Sequence, residues 1–201
     1  MRLALFASLM VLGLGGCSIL PEAVELEVYS LPAGEVRSNL AGAATGKVLR
    51  ISKPMAAPVL GSARIVVMPQ AHRLSVYKGA RWSDSAPALL RDRLIEAFRQ
   101  TGRLAAVVSD DARMPADLEL AGELLAFQSE YRNGQPVARI RLQASLLQGD
   151  SRRILASHGF EVEQSADSGE LSAVVEAFGR AGDQVSGELV EWVLAEMRKS
   201  P

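Results

Sequence analysis

Two hydrophobic periods divide the chain. Between Ala116 and Gln164 apolar residues recur at every second position: Ala138, Ile140, Leu142, Ala144 and Leu146 alternate with Arg139, Arg141, Gln143 and Ser145. That period belongs to an antiparallel strand with one wet face. Arg132-Asn133-Gly134-Gln135 and Gln148-Gly149-Asp150-Ser151 supply turn residues on either side, so the region predicts a three-stranded meander. Beyond it the spacing changes to three and four. Leu171, Val174, Val175, Phe178, Val185, Leu189, Trp192, Val193 and Met197 predict a long closing amphipathic helix. Asp167-Ser168-Gly169-Glu170 has the form of a capping box at its start. Gly179, Gly182 and Gly187 each weaken such a helix by about 1 kcal/mol relative to Ala, or else permit close packing on the sheet or on another subunit.

The first half mixes both periods. VELEVYSL, Val24 to Leu31, alternates as a strand, and Pro32 to Thr45 is rich in Gly, Ala and Ser and predicts an exposed loop. A second strand is expected from Lys47 to Ser52, followed by an irregular stretch set by Pro54, Pro58 and Gly61. ARIVVMP, Ala63 to Pro69, is a continuous apolar run suited to a strand buried on both faces. Leu74 to Tyr77 predicts a short strand. A helix then opens at Ser85-Ala86-Pro87, where Ser can cap and Pro is tolerated in the first turn, and it ends at Thr101-Gly102. Leu90, Leu94, Ala97 and Phe98 share its apolar face, and Leu104 to Val108 reads as a returning strand. Ile65 to Val108 thus has the outline of a strand-helix-strand unit.

The N-terminus follows a different plan. One cation, Arg2, precedes an apolar run from Leu3 to Leu14 and then small residues and Cys17, the single cysteine of 201 residues. The run is shorter than the roughly 20 residues of a membrane span and is expected to be a signal peptide covering residues 1–16. Leu14-Gly15-Gly16-Cys17 resembles a bacterial lipobox, whose cysteine is acylated after cleavage. The alternative is ordinary secretion with an incidental thiol. A lone exposed thiol has no partner in an oxidising compartment, and two or three acyl chains would hold the protein permanently to a membrane. Ser18, standing where an inner-membrane retention signal would place Asp, favours the periplasmic side of the outer membrane. Residues 17–201 then form one domain, with 17–23 a short lipid-anchored tether.

Charge and side-chain inventory narrow the function. Cleavage leaves 21 cations against 23 carboxylates, which provides no electrostatic footprint for nucleic acid. Two His, no phosphate loop and no metal-ligand spacing leave little to catalyse with, so no catalytic residue, metal or cofactor is expected. Asp110-Asp111 and Asp117 with Glu119 are read as solvated surface. One segment stands out, LSVYKGARWSD from Leu74 to Asp84, because Tyr77, Lys78, Arg81 and Trp82 concentrate there in a chain with only two Trp and three Tyr. Either Trp82 packs over the start of the next helix, which Ser83 to Ser85 cap, or the four residues form an exposed docking surface of the kind enriched at interface hot spots. The second reading predicts that Arg81→Ala with Trp82→Ala weakens association while stability stays within about 1 to 2 kcal/mol.

Together with the lipobox, YSLP at Tyr29 to Pro32, RIVVMP at Arg64 to Pro69, VYKGARWSD at Val76 to Asp84, PALLRDRL at Pro87 to Leu94 and ADLELAGELLAFQ at Ala116 to Gln128 resemble the ABC-type transport auxiliary lipoproteins, the PqiC-like periplasmic family. The resemblance implies an α/β fold: a three-layer mixed sheet with the antiparallel meander and long C-terminal amphipathic helix, related in shape to the N-terminal domain of TolB-like proteins. It also implies a non-catalytic partner of an ABC transporter's MCE-domain protein, in systems that move lipids or other apolar molecules between the two membranes, with homo-oligomerisation left open. The alternative is a lipoprotein with its own small-molecule or cell-wall ligand, or an outer-membrane assembly factor.

Overall fold

A computed structural model describes residues 26–34, 44–112 and 114–199. The expected signal peptide, Cys17 and its tether, Val24 and Glu25 of the first strand, and most of the expected loop after Leu31 lie outside these residues. Among the described residues nine strands and two helices follow in chain order: β1 (Glu27–Tyr29), β2 (Val48–Ile51), β3 (Met55–Ala56), β4 (Arg64–Gln70), β5 (Arg73–Trp82), α1 (Ala86–Gln100), β6 (Ala106–Ser109), β7 (Leu118–Arg132), β8 (Gln135–Gln148), β9 (Ile154–Ser165) and α2 (Leu171–Lys199).

The meander forms as expected and organises everything else. β7, β8 and β9 pair antiparallel in order, with Leu118 opposite Gln148 at one end and Arg132 opposite Gln135 at the other. Asn133 and Gly134 both take positive φ, 51° and 80°, which is the two-residue hairpin geometry that matches strand twist. The opposite edge of β7 is shared. β2 pairs with Leu118–Leu120, β3 with Glu123 and Leu124, and β4 with Ser129 and Glu130, all parallel. β6 extends the sheet beyond β2, and β5 then β1 extend it beyond β4. The result is one open mixed sheet.

The expected strand-helix-strand unit is changed by this arrangement. A full hairpin, β4–β5, precedes α1, and β6 lands beside β2 instead of beside β4. The apolar run of β4 is buried at Ile65, Val66 and Val67, as a strand inside a sheet requires.

Both helices rest on the same sheet face and touch each other. Ile140, Leu142, Ala144 and Leu146 of β8 meet Val174, Phe178, Val185, Leu189 and Val193 of α2 and Leu90, Leu94 and Phe98 of α1 in a single core. On the meander's other face Arg139, Arg141, Gln143 and Ser145 look outward. Alternation dictates this, because burying that face would strand an ionic ladder. Glu130 accepts from Arg139 at 3.0 Å, and Arg139 also pairs with Glu161 at 2.5 Å.

Two local expectations differ. The capping box does not close: Ser168 Oγ accepts from the Glu170 N–H, while the exposed Asp167 pairs with Arg180. Ser85 occupies the cap position of α1 without a side-chain bond, and its own N–H donates to Asp84 Oδ1.

The helix glycines have a specific use. The Leu31–Gly34 segment crosses α2 where Gly179 and Gly182 leave room. A Cβ at Gly179 would meet Pro32 Cβ at 2.8 Å and its carbonyl oxygen at 3.0 Å, and one at Gly182 would meet Leu31 at 3.5 Å. Gly179→Ala gains about 1 kcal/mol of helix propensity but overpacks ring and backbone atoms, at a cost of about 1–3 kcal/mol. The expected outcome in urea unfolding is a net loss of up to about 2 kcal/mol. A more stable variant would show that the strap yields freely.

Candidate functional site

The Leu74–Asp84 segment is strand β5 and the turn after it, and strand alternation divides its side chains between two faces. Gly79 has φ of 72°, a left-handed conformation that glycine adopts without strain. It sits in a bulge, because β4 advances from Arg64 to Val66 while β5 steps from Arg81 back to Val76. The bulge turns Ala80 and Trp82 into the core and Arg81 to the other side.

Trp82 is fully buried. Its ring stands edge-on to Phe127 and Phe178, with centroids 5.9 and 5.3 Å away, and these two phenylalanines stack on each other at 4.9 Å. The exposed reading of Trp82 is therefore corrected: it anchors the sheet to α2, and it packs in the core instead of presenting a surface. Its backbone N–H donates to Ala63, and the next N–H, of Ser83, donates to Tyr29, so the residue also joins β4, β5 and β1. The indole N–H has no partner among the described residues.

Tyr77 is half-buried on the core side, its hydroxyl bonded to Ser129 Oγ at 3.3 Å. Burial pushes its phenol up to about 12, against a smaller opposing effect of the Ser129 bond. Lys78 is exposed and Arg81 is half-buried. Arg81 lies directly opposite Arg64 on β4 and beside Val28 on β1. Among the described residues no carboxylate pairs with Arg64, Lys78 or Arg81.

A second polar centre was missed by sequence reasoning. Arg93 of α1 is buried, yet it donates to Asp183 of α2 through Nε at 2.8 Å and to the Gly34 carbonyl at 2.8 Å. Asp183 accepts in turn from the Gly34 N–H at 3.0 Å. The pair clamps both helices to the strap that leaves β1. An arginine on the apolar side of a helix was the available signal, since a buried guanidinium requires a partner.

The paired carboxylates divide as well. Asp110 and Asp111 both accept from Arg91. Burial alone would raise the Asp110 carboxyl, but the Lys53 backbone N–H and Arg91 outweigh it and hold it below the usual range. Asp117 receives the Val48 N–H at 2.7 Å. Glu119 is buried instead of solvated, held by Ser52 at 2.7 Å and Arg152 at 3.3 Å. His158 stacks on Trp192 and meets Phe160 edge-on, and His72 occupies the β4–β5 turn with φ of 64°. Among the described residues no three His, Cys, Asp or Glu gather as a metal site, and no helix is long and apolar enough to cross a membrane. An open cleft of about 500 Å³ on the outer sheet face is lined by Met55, Ala121, Gly122, Leu147, Arg152 and Ile154, among others.

Comparison with known proteins places these features. The family described as the ABC-type transport auxiliary lipoprotein component matches residues 29–190. A crystal structure of a protein from Xanthomonas campestris is similar at 34% identity with TM-score 0.79, over 86% of this chain and 97% of that one. Another crystal structure, 14% identical with TM-score 0.65 over 84% and 98% of the two chains, shares the fold. A protein of Bradyrhizobium diazoefficiens is 26% identical over 146 residues, 73% of this chain but only 39% of that longer relative.

Proposed function

Because the chain belongs to the family of ABC-type transport auxiliary lipoprotein components, we propose that it is the lipid-anchored accessory of an ABC/MCE system that moves lipids or other apolar molecules between the inner and outer membranes. The observation that carries this reading is the family match across 29–190, which takes in the β1 strap, the hairpin, the meander and most of α2. The packed core and open surface clefts suit a docking component. Acylated Cys17 holds it to the membrane, and Ser18 directs it to the outer membrane, where it contacts the MCE-domain protein from the periplasmic side. The Leu74–Asp84 segment divides its roles: Tyr77 and Trp82 hold β5 in place, and Lys78 and Arg81 supply the accessible charge.

Affinity purification of the lipidated protein from membranes is expected to recover an MCE-domain protein with its permease and ATPase. Their absence, in a genome lacking the three genes beside this one, would refute the reading and favour a lipoprotein with its own ligand or an assembly factor. Cys17→Ala is expected to move the protein from the membrane to the soluble fraction. Retention at the membrane would contradict the anchor.

A further inference from the structure

The outer side of the β1–β5–β4 edge combines three properties that the core-facing side lacks. First, Val28, Arg81 and Arg64 form one row across three neighbouring strands. Two like charges directly opposite each other on a sheet repel, and no described carboxylate neutralises them. Lys78, which is exposed, adds a third cation in the adjoining bulge. Second, the cations are interleaved with exposed apolar groups. Leu26 and Val28 are 51% and 52% exposed and Leu74 is 47% exposed, and Arg64, Leu74, Val76 and Val59 line one shallow cleft of about 250 Å³. The one acidic residue of β1, Glu27, accepts from the Tyr29 hydroxyl at 2.5 Å, and its register partner is the buried Ala80, so it belongs to the opposite face.

Third, position along the chain restricts what this edge can meet. Leu26 follows Cys17 by nine residues, so a tether from an acylated Cys17 reaches at most about 30 Å even when fully extended. A domain of this length is itself roughly 40 Å across. The β1 corner is therefore held within less than one domain diameter of the bilayer, and α2 packs against the other face of the sheet.

We propose that the Leu26, Val28, Lys78, Arg81 and Arg64 surface lies against the anionic phospholipid headgroups of the anchoring membrane, as a second, electrostatic attachment that sets the orientation of the domain. Cations attract an anionic leaflet within about a screening length, and the apolar side chains between them enter the headgroup boundary. The acyl chains fix where the protein is, and this surface fixes which way it faces. α2 and the outer end of the meander are thereby turned toward the periplasm. The inference rests on acylation at Cys17 and does not depend on the transporter.

The test uses the lipidated full-length protein carrying Val28→Cys, which is the single free thiol once Cys17 is acylated. Mass spectrometry first establishes the acyl chains; their absence would overturn the inference, because the reach argument falls with them. A fluorophore on residue 28 is then read in vesicles of phosphatidylethanolamine with and without phosphatidylglycerol, each containing a headgroup-depth spin-labelled quencher lipid. Strong quenching at residue 28 is expected when phosphatidylglycerol is present, at least about two-fold above that at a Glu191→Cys control on α2. It should fall toward the control level in about 1 M NaCl, where the screening length is about 3 Å, and in Arg64→Glu with Arg81→Glu. That double reversal keeps the like-charge pair, so it leaves the folding burden of the row unchanged. Equal quenching at residues 28 and 191, or quenching at residue 28 indifferent to phosphatidylglycerol and to charge reversal, would overturn the proposal. So would shielding of residue 28 from an aqueous quencher without quenching by lipid, which would mean that protein covers this edge. Loss of co-purifying transporter subunits would leave it standing.

Discussion

Trp82→Ala is expected to lower the unfolding free energy by about 3–5 kcal/mol, the range for truncating a large aromatic in a packed core. Trp82 is fully buried among Phe127, Phe178 and the ends of β1, β4 and β5. The cavity would be bounded by strands tied together through the same residue's backbone, which limits collapse. A domain whose whole stability is about 5–15 kcal/mol would be close to unfolding at growth temperature. Trp82→Phe should cost much less, because it keeps the edge contacts in part and removes an indole N–H that is buried without a partner among the described residues. Arg81→Ala, on the accessible face, should stay within about 0.5 kcal/mol. Chemical denaturation of the three variants separates the two faces of β5. A mild Trp82→Ala would place the ring outside the core.

Asp183→Ala is expected to cost about 3 kcal/mol, the low end for stranding a buried charge. Arg93 is almost wholly buried and would keep only the Gly34 carbonyl, while Asp183 itself retains some solvent contact. The loss should be local before it is global: amide exchange should rise first at Leu31, Ala33 and Gly34, which the pair holds across α1 and α2. Arg93→Met with Asp183→Leu should recover much of the stability, since replacing a buried pair by apolar groups removes the desolvation penalty along with the attraction. Full stability of Asp183→Ala alone would mean that the clamp contributes nothing.

Neither of these two sites was legible in the sequence, whereas the elements that carry them were. The meander was legible because Ala138 to Leu146 alternates without interruption and Asn133-Gly134 can adopt the turn that register demands. The last helix was legible from Leu171 to Met197 because its apolar stripe repeats over many turns. Helix α1 was legible from Pro87 and Gly102. All of these signals are local. Trp82 was not decided by local pattern, since an aromatic beside two cations looks the same whether its strand faces core or solvent. The bulge at Gly79 set the outcome by shifting the phase of β5, and a one-residue change of phase exchanges the two faces. Arg93 was unreadable for a similar reason: its partners lie 90 residues ahead and 59 behind.

From the sequence alone came the α/β class, the meander, the closing helix, the expected signal peptide with Cys17 and the resemblance that the family match then showed. Each follows from short-range periodicity or from residues adjacent in the chain. Only the tertiary structure decided that β2, β3 and β4 share one edge of β7, that Pro32 needs Gly179, and that Trp82 and Arg81 point to opposite sides of one strand. The physical reason is that burial and charge compensation depend on which distant segments meet, and no local window contains both partners.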